Sequence, residues 1–82
     1  MTTSRVDIEI PNAVAVEVTD EALTVGLSDG STISVPMAWY PRLLHATRNE
    51  LAKWEFIGKG HGIHWDGLDE DISVEGLFAG RH

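Results

Sequence analysis

The sequence of 82 residues contains no cysteine, few aromatic residues and no long hydrophobic run. Without cysteine, neither disulfide bonds nor cysteine-ligated zinc sites can form. No segment approaches the roughly 20 apolar residues that a membrane-spanning helix needs. The first ten residues also lack the apolar core of a secretion signal. We therefore expect no membrane partner and predict a cytoplasmic protein.

Basic residues are scarce as well, since 6 Lys and Arg against 13 Asp and Glu give a net charge of −7. Neutralisation of phosphates provides most non-specific affinity for nucleic acids, so we expect no direct binding to DNA or RNA. The charge is unevenly distributed. Residues 1–41 carry six acids and one base, residues 42–59 two acids and four bases, and residues 66–82 five acids and one base. This pattern fits an ordinary solvated surface, and it also fits an acidic face that binds a basic protein.

The composition is that of one small globular domain over residues 1–82, with residues 1–5 as a loose N-terminus. Hydrophobic residues make up 43% of the chain and charged residues 23%, which are ordinary values for a folded protein. A chain of this length has a thin core. Formation of a homodimer would therefore bury useful additional apolar surface.

The first half of the chain is predicted to form strands. Apolar and polar side chains alternate over residues 6–10, 13–18, 22–27 and 31–35, as is typical of half-buried strands. Together these segments predict an antiparallel meander with one face toward a core.

Side-chain parity sets the loop lengths, because facing residues of paired strands share a face. A three-residue loop over 28–30, with Gly30 left-handed, places Val25 opposite Ile33. A four-residue loop over 19–22 places Val16 opposite Val25.

After Pro36 the pattern predicts helices. Tyr40-Pro41 suits a helix start, because proline is tolerated at the first helical position. Leu43 and Leu44 are expected to face inward. Thr47-Arg48-Asn49-Glu50 matches a capping box and predicts a second helix over 48–54, with Leu51 and Trp54 on its inner side.

The C-terminal third is predicted to contain short extended segments over 55–57 and 63–65, followed by a helix. Ser73 is its expected N-cap, Gly80 its end, and Val74, Leu77 and Phe78 its inner face. The predicted fold class is α+β: an antiparallel meander sheet of three to four strands, two short helices in the middle and a short C-terminal helix.

The segment 61–71 concentrates chemically active side chains. His61, His64 and Asp66 are acceptable ligands for zinc, iron or nickel, and Asp69 could join an acid–base pair. The spacing matches neither HExxH nor a facial triad, and DGLDED lacks the order of a calcium loop. If 63–65 is extended, His64 points away from Ile63 and Trp65. We expect no metal or cofactor.

The glycines of GKGHG (58–62) do not match a phosphate-binding loop, and they are typical of a sharp turn. Aromatic side chains inside a charged rim are typical of protein-binding patches. The candidate partner-binding residues are Trp39, Tyr40, Trp65, Asp66, Asp69, Glu70 and Asp71. For Trp65, packing in the core is the favoured alternative.

Several stretches resemble the small bacterial domains known as "domain of unknown function 2442". They are WYPRLLHAT (39–47), the helix ending at Trp54, FIGKGHGIHW (56–65) and LDEDISVEGLFAG (68–80), together with SDG (28–30) and Val35-Pro36. The resemblance covers nearly everything from residue 12 onward. It implies an α+β fold with an antiparallel sheet and no catalytic motif. In some relatives the domain is joined to a helix-turn-helix segment, and others resemble the smaller partner of a toxin–antitoxin pair.

The leading hypothesis is a small acidic, non-enzymatic interaction module with a protein partner, in its most concrete form an antitoxin-like protein that masks a small basic toxin. The alternative is a metal-dependent or acid–base enzyme using His61, His64, Asp66 and Asp69. A further alternative is an accessory domain in transcriptional regulation that acts through dimerisation.

Overall fold

The computed structural model describes residues 10–80, which form two three-stranded antiparallel sheets and three short helices. In chain order the elements are β1 (Ala13–Val18), β2 (Ala22–Leu27), β3 (Thr32–Pro36), α1 (Pro41–Leu44), α2 (Arg48–Ala52), β4 (Trp54–Ile57), β5 (Gly62–Trp65), β6 (Glu70–Ser73) and α3 (Val74–Ala79). Single 3₁₀ turns occupy Met37–Trp39 and Asp66–Leu68. The predicted α+β class is confirmed. The strand predicted over 6–10 lies outside the described residues except for Ile10, which lies in no strand.

The first sheet has the strand order β1-β2-β3 and the register that parity predicts. Val25 lies opposite both Val16 and Ile33. Gly30 has a φ of 91°, and its N–H donates to the carbonyl of Leu27 at 3.0 Å, which closes the predicted three-residue loop. The alternation of apolar side chains was therefore sufficient to predict the central pairing of this meander, but not the bulge between Ala13 and Ala15 in β1.

The second sheet has the order β4-β5-β6, and β6 was not predicted. Its sequence, EDIS, is poor in residues that favour strands. Asp69 takes a left-handed conformation with a φ of 52° and turns the chain back, so that Ile72 lies opposite Ile63. Burial of Ile72 and pairing with β5 therefore override the low strand propensity of the acids.

Helix α1 begins at Pro41 as predicted and consists of a single turn. Leu43 is fully buried, but Leu44 is exposed, so the inward orientation predicted for Leu44 is wrong. One turn of helix offers the core only a narrow stripe, and successive residues lie on different sides of it.

Helix α2 has the predicted capping box. The Glu50 N–H donates to Thr47 Oγ1 at 3.1 Å, and the Thr47 N–H donates to Glu50 Oε1 at 2.8 Å. The helix ends earlier than predicted, at Ala52, and Trp54 opens β4 instead. The capping residues thus fixed the start of α2, while strand pairing set its end.

Helix α3 begins at its predicted N-cap, where the Gly76 N–H donates to Ser73 Oγ at 2.9 Å, and Gly80 ends it with a φ of 72°. Val74 and Leu77 are buried, whereas Phe78 is exposed, so the predicted inward orientation of Phe78 is wrong. The buried apolar face of α3 is therefore narrower than the sequence predicted.

The core lies on the inner faces of the two sheets and is closed by the helices. Trp65 is its largest fully buried side chain, and its indole N–H donates to the carbonyl of Leu51 at 3.1 Å. A buried indole N–H usually finds a partner, since leaving it unpaired costs about 1–3 kcal/mol. This bond ties the second sheet to α2. Within residues 10–80 no helix has the length and apolar character that would cross a membrane.

The sheets also meet where the β4–β5 turn contacts the start of β1. The Ala13 N–H donates to the carbonyl of Gly60 at 2.7 Å. Gly60 has a φ of 94°, and a Cβ atom there would lie 2.6 Å from the carbonyl oxygen of Ala13. Only glycine permits this approach of the two backbones.

Replacement of Gly60 tests this junction. We expect Gly60→Ala to lower the free energy of unfolding by about 3 kcal/mol, because strain at positive φ adds to a backbone clash. Gly30→Ala is the matched control, since its φ of 91° is similar and nothing lies near its Cβ position. We expect it to cost about 1–2 kcal/mol. Urea unfolding of both variants measures the two free energies of unfolding. Equal losses of unfolding free energy in the two variants would contradict a specific junction at Gly60.

Candidate functional site

Strand β5 separates the chemically active side chains of segment 61–71 onto two faces. Ile63 and Trp65 point into the core and are fully buried. Gly62 and His64 therefore lie on the opposite side, as the predicted parity requires. Their side of the β4-β5-β6 sheet is turned away from the core.

We call this side the acidic outer face and define it by Glu55, His64, Asp66 and Asp71. Glu55 and Asp71 lie opposite His64 on the two neighbouring strands, so the three residues form one row across the sheet. Asp66 follows directly after β5. Two of these carboxylates are open to solvent, since the side chains of Asp66 and Asp71 are 92% and 66% exposed.

His64 contacts a carboxylate on each edge of its ring. Nδ1 hydrogen-bonds to Asp71 Oδ1, and Nε2 lies 3.5 Å from Asp66 Oδ1. The hydrogen bond to Asp71 raises the pKa of His64 above its ordinary value of 6.5, and Asp66 adds to this increase, while partial burial of the ring opposes it. The cluster therefore favours the protonated imidazolium.

Of the residues in the metal and acid–base hypothesis, His64 and Asp66 lie 3.5 Å apart, whereas Asp69 lies in the turn that Arg42 contacts. The carboxylates of Asp66 and Asp71 lie at opposite edges of the His64 ring, so they do not converge on one point. His61 lies in the turn before β5, outside this cluster. Within residues 10–80 no group of three His, Cys, Asp or Glu side chains could hold a metal ion.

Of two further predicted site residues, Asp69 lies in the turn before β6 and Glu70 is the first residue of that strand. Asp69 occupies the left-handed position, and its carbonyl accepts a hydrogen bond from Arg42 at 2.8 Å. Glu70 Oε1 lies 4.0 Å from Arg42 Nε. Arg42 of α1 therefore contacts the main chain of Asp69 and the side chain of Glu70, whereas Asp66, Asp69 and Asp71 are exposed.

Two of the three aromatic candidates are buried, and the third is partly buried. Trp65 is fully buried and Tyr40 is buried, so neither presents a face to a partner. Burial also raises the pKa of Tyr40, and the charge of Glu70 adds to the increase. Trp39 packs partly buried against the core. The aromatic side chains thus pack in or against the core. Trp65 is a core residue, as the favoured alternative predicted.

The sequence did not single out Glu55 or Ile57, which complete the outer face. Ile57 is 41% exposed and lies opposite Gly62. A Cβ atom at Gly62 would lie 3.1 Å from Ile57 Cγ1, so Ile57 covers the space that glycine leaves. An open depression of about 350 Å³ lies beside it, lined also by His61 and Asp71. The alternation of side chains in β5, continued back through the glycine-rich turn into β4, could have placed both residues on this face.

A family model described as "Protein of unknown function (DUF2442)" matches residues 13–82. The chain is also similar to a protein of unknown function from Rhodospirillum rubrum, whose crystal structure has a TM-score of 0.73 at 33% sequence identity, over 87% of this chain and 88% of that chain. The solution structure of an uncharacterized protein from Chromobacterium violaceum has a TM-score of 0.71 at 22% identity, over 85% of this chain and 66% of that chain, and supports the fold alone. No curated protein matches significantly.

Titration of His64 tests the cluster. We expect NMR to give its ring a pKa above 6.5, and Asp71→Asn to lower that pKa, because the strongest charge-assisted partner is lost. Asp66→Asn is the control and should lower it less, since Asp66 is more distant and more exposed. A pKa unchanged in Asp71→Asn would contradict the cluster.

The free energy of unfolding should change with pH as His64 titrates. Because the folded state raises the pKa of His64, the stabilisation is fully present below pH 6.5 and is lost as pH rises through the folded-state pKa. We therefore expect the unfolding free energies of the wild type and His64→Gln to differ more at pH 5.5 than at pH 8.5. Urea unfolding at the two pH values measures this, and a difference that grows with rising pH would contradict it.

Proposed function

The chain belongs to the DUF2442 family of proteins of unknown function, and we propose that it is a non-enzymatic module that binds a basic protein through the acidic outer face. The observation that carries this proposal is the collection of Glu55, Asp66 and Asp71 on one solvent-facing side of the second sheet. In the sequence these acids are spread over 17 positions, from 55 to 71.

Electrostatics favours a basic partner at this surface. No Lys or Arg lies within β5 or β6, so the exposed carboxylates of the face meet only His64 across the strands. Interactions of this kind accelerate association and select the partner more than they add affinity. Screening by salt should accordingly slow formation of the complex.

An apolar side chain beside the acids supplies the contact that charge alone lacks. Ile57 is 41% exposed next to the open depression and lies on the same face of β4 as Glu55. Binding patches commonly combine a small apolar centre with a charged rim. A basic partner with an aliphatic or aromatic anchor would match this combination.

An antitoxin-like role is the most specific form of the proposal. Family resemblance suggests it, because some relatives resemble the smaller member of a toxin–antitoxin pair. A net charge of −7 on a chain of this size suits the masking of a small basic protein. The product of the neighbouring gene is the partner to test first.

Isosteric neutralisation of the face tests the proposed function. In a complex with the neighbouring gene product, the triple variant Glu55→Gln, Asp66→Asn, Asp71→Asn should bind about tenfold more weakly, because three exposed ion pairs of up to about 1 kcal/mol each are removed. Calorimetry at two salt concentrations gives the affinity and its salt dependence, which should both fall. Asp69 and Glu70 stay unchanged, because they lie outside the acidic outer face, where Arg42 contacts the carbonyl of Asp69 and the carboxylate of Glu70.

The matched control is a triple variant with the same change of net charge, made on the first sheet. Glu17→Gln, Asp20→Asn, Glu21→Gln neutralises three exposed acids on β1 and the loop after it. This variant should retain binding within about twofold. Equal weakening in both triple variants would show that net charge alone matters and would count against the outer face as the site.

A further inference from the structure

Among residues 10–80, β4 is an edge strand of the second sheet. It pairs with β5 on one side. On the other side, the described part of the chain offers no strand to its backbone. An open edge of this kind is a template for an additional strand, and peptide recognition by strand addition uses such edges.

The direction of the open hydrogen-bonding groups follows from the bonds at the turn. The Val74 N–H donates to the carbonyl of His61 at 2.9 Å, so His61 directs its carbonyl toward β6. Directions alternate along a strand, so Gly62 directs its N–H and carbonyl toward β4 and pairs with Ile57. Phe56 therefore points its N–H and carbonyl outward, away from β5.

The other sheet edges in residues 10–80 carry features that discourage pairing. β1 has a bulge between Ala13 and Ala15, and β3 ends in Pro36. β6 continues directly into α3, and Arg42 bonds to the carbonyl of Asp69 at its start. Bulges, prolines and covered ends are the usual means of protecting an edge. β4 has none of them within its four residues.

A second copy of the chain is a poor occupant of this edge. In a symmetric antiparallel pair of β4 strands, an axis at Glu55 would place two carboxylates directly opposite each other. An axis at Phe56 would instead place Glu55 of one copy opposite the apolar Ile57 of the other. These are the registers that pair at least three residues of β4 with β4, and neither places a basic side chain directly opposite Glu55, so the edge suits a strand of different sequence.

The side chains of β4 define that strand. Phe56 lies on the inner face, and its ring centroid is 4.9 Å from that of Trp54, which leaves an aromatic platform at the edge. Glu55 lies on the outer face, in the row with His64 and Asp71. An added strand would therefore need an apolar side chain beside Phe56 and, one residue along, a basic side chain beside Glu55.

We infer that β4 receives an extended segment of the partner, with alternating basic and apolar residues, as a fourth strand of the second sheet. This inference rests on the proposed function, because the acids of the outer face select the basic residues. It adds the binding mode: main-chain hydrogen bonds to Phe56 hold the segment, and the alternating side chains set its register.

A short capped peptide in which lysine alternates with valine is the probe. In ¹⁵N-labelled protein, its addition should shift the amide resonances of residues 54–57 most and should protect the Phe56 amide from solvent exchange. The same peptide with N-methyl groups on alternate residues, placed along one edge, should bind at least about tenfold more weakly, because the main-chain donors are lost. A glutamate–valine peptide should bind more weakly as well.

Two matched pairs of variants separate strand addition from general attraction. Glu55→Lys should weaken peptide binding about fivefold, whereas Glu17→Lys, on another edge strand, should leave it within twofold. Phe56→Ala should weaken binding, whereas Phe78→Ala, at the other exposed phenylalanine, should not. Thermal unfolding of all four variants checks that each remains folded.

The outcomes distinguish this inference from the proposed function. Peptide shifts confined to His64 and Asp71, with equal binding of the N-methylated peptide, would overturn strand addition and leave a basic partner on the outer face. Absence of peptide binding at millimolar concentration, or shifts centred on β1, β3 or β6, would also overturn it. Failure of the proposed function shows separately, as unchanged affinity of the neutralised triple variant for its protein partner.

Discussion

The two-residue alternation of β5 is the constraint on which the rest of the second sheet depends. A slip of one residue would turn Trp65 into solvent and His64 into the core, so the register carries a large energetic preference. The indole bond of Trp65 to the carbonyl of Leu51 holds one end of the strand. At the other end, a Cβ atom at Gly62 would lie 3.1 Å from both Ile57 Cγ1 and the carbonyl oxygen of Ile72, so a larger residue would displace its neighbours. The acidic outer face exists because this register is fixed.

Much of the first sheet could be predicted, because its information is local. Alternation in the strands and the glycine at position 30 sufficed to place Val25 opposite Ile33. Capping residues identified the starts of α2 and α3 for the same reason. The exposure of Leu44 and Phe78 could not be predicted, since it depends on how short helices lie against sheets that are distant in sequence.

The site was predicted only in part, because its acids belong to different structural units. The sequence marks Asp66, Asp69 and Asp71 as one acidic run. Long-range contacts decide that Arg42 holds the turn at Asp69, while Asp66 and Asp71 lie on either side of His64. Glu55 joins them only through strand pairing. The family has no known function and a fold alone does not imply one, so the arrangement of these acids is what points to a function.

The central claim is that the second sheet, through β4 and the acidic outer face, is the surface that binds a basic protein. Hydrogen–deuterium exchange of the complex with the neighbouring gene product tests it most directly. We expect slower exchange in β4 and β5 than in the free protein, with the largest protection at residues 54–57. Exchange in β1 and β3 should be unchanged. Protection centred on the first sheet, with β4 exchanging as in the free protein, would contradict it.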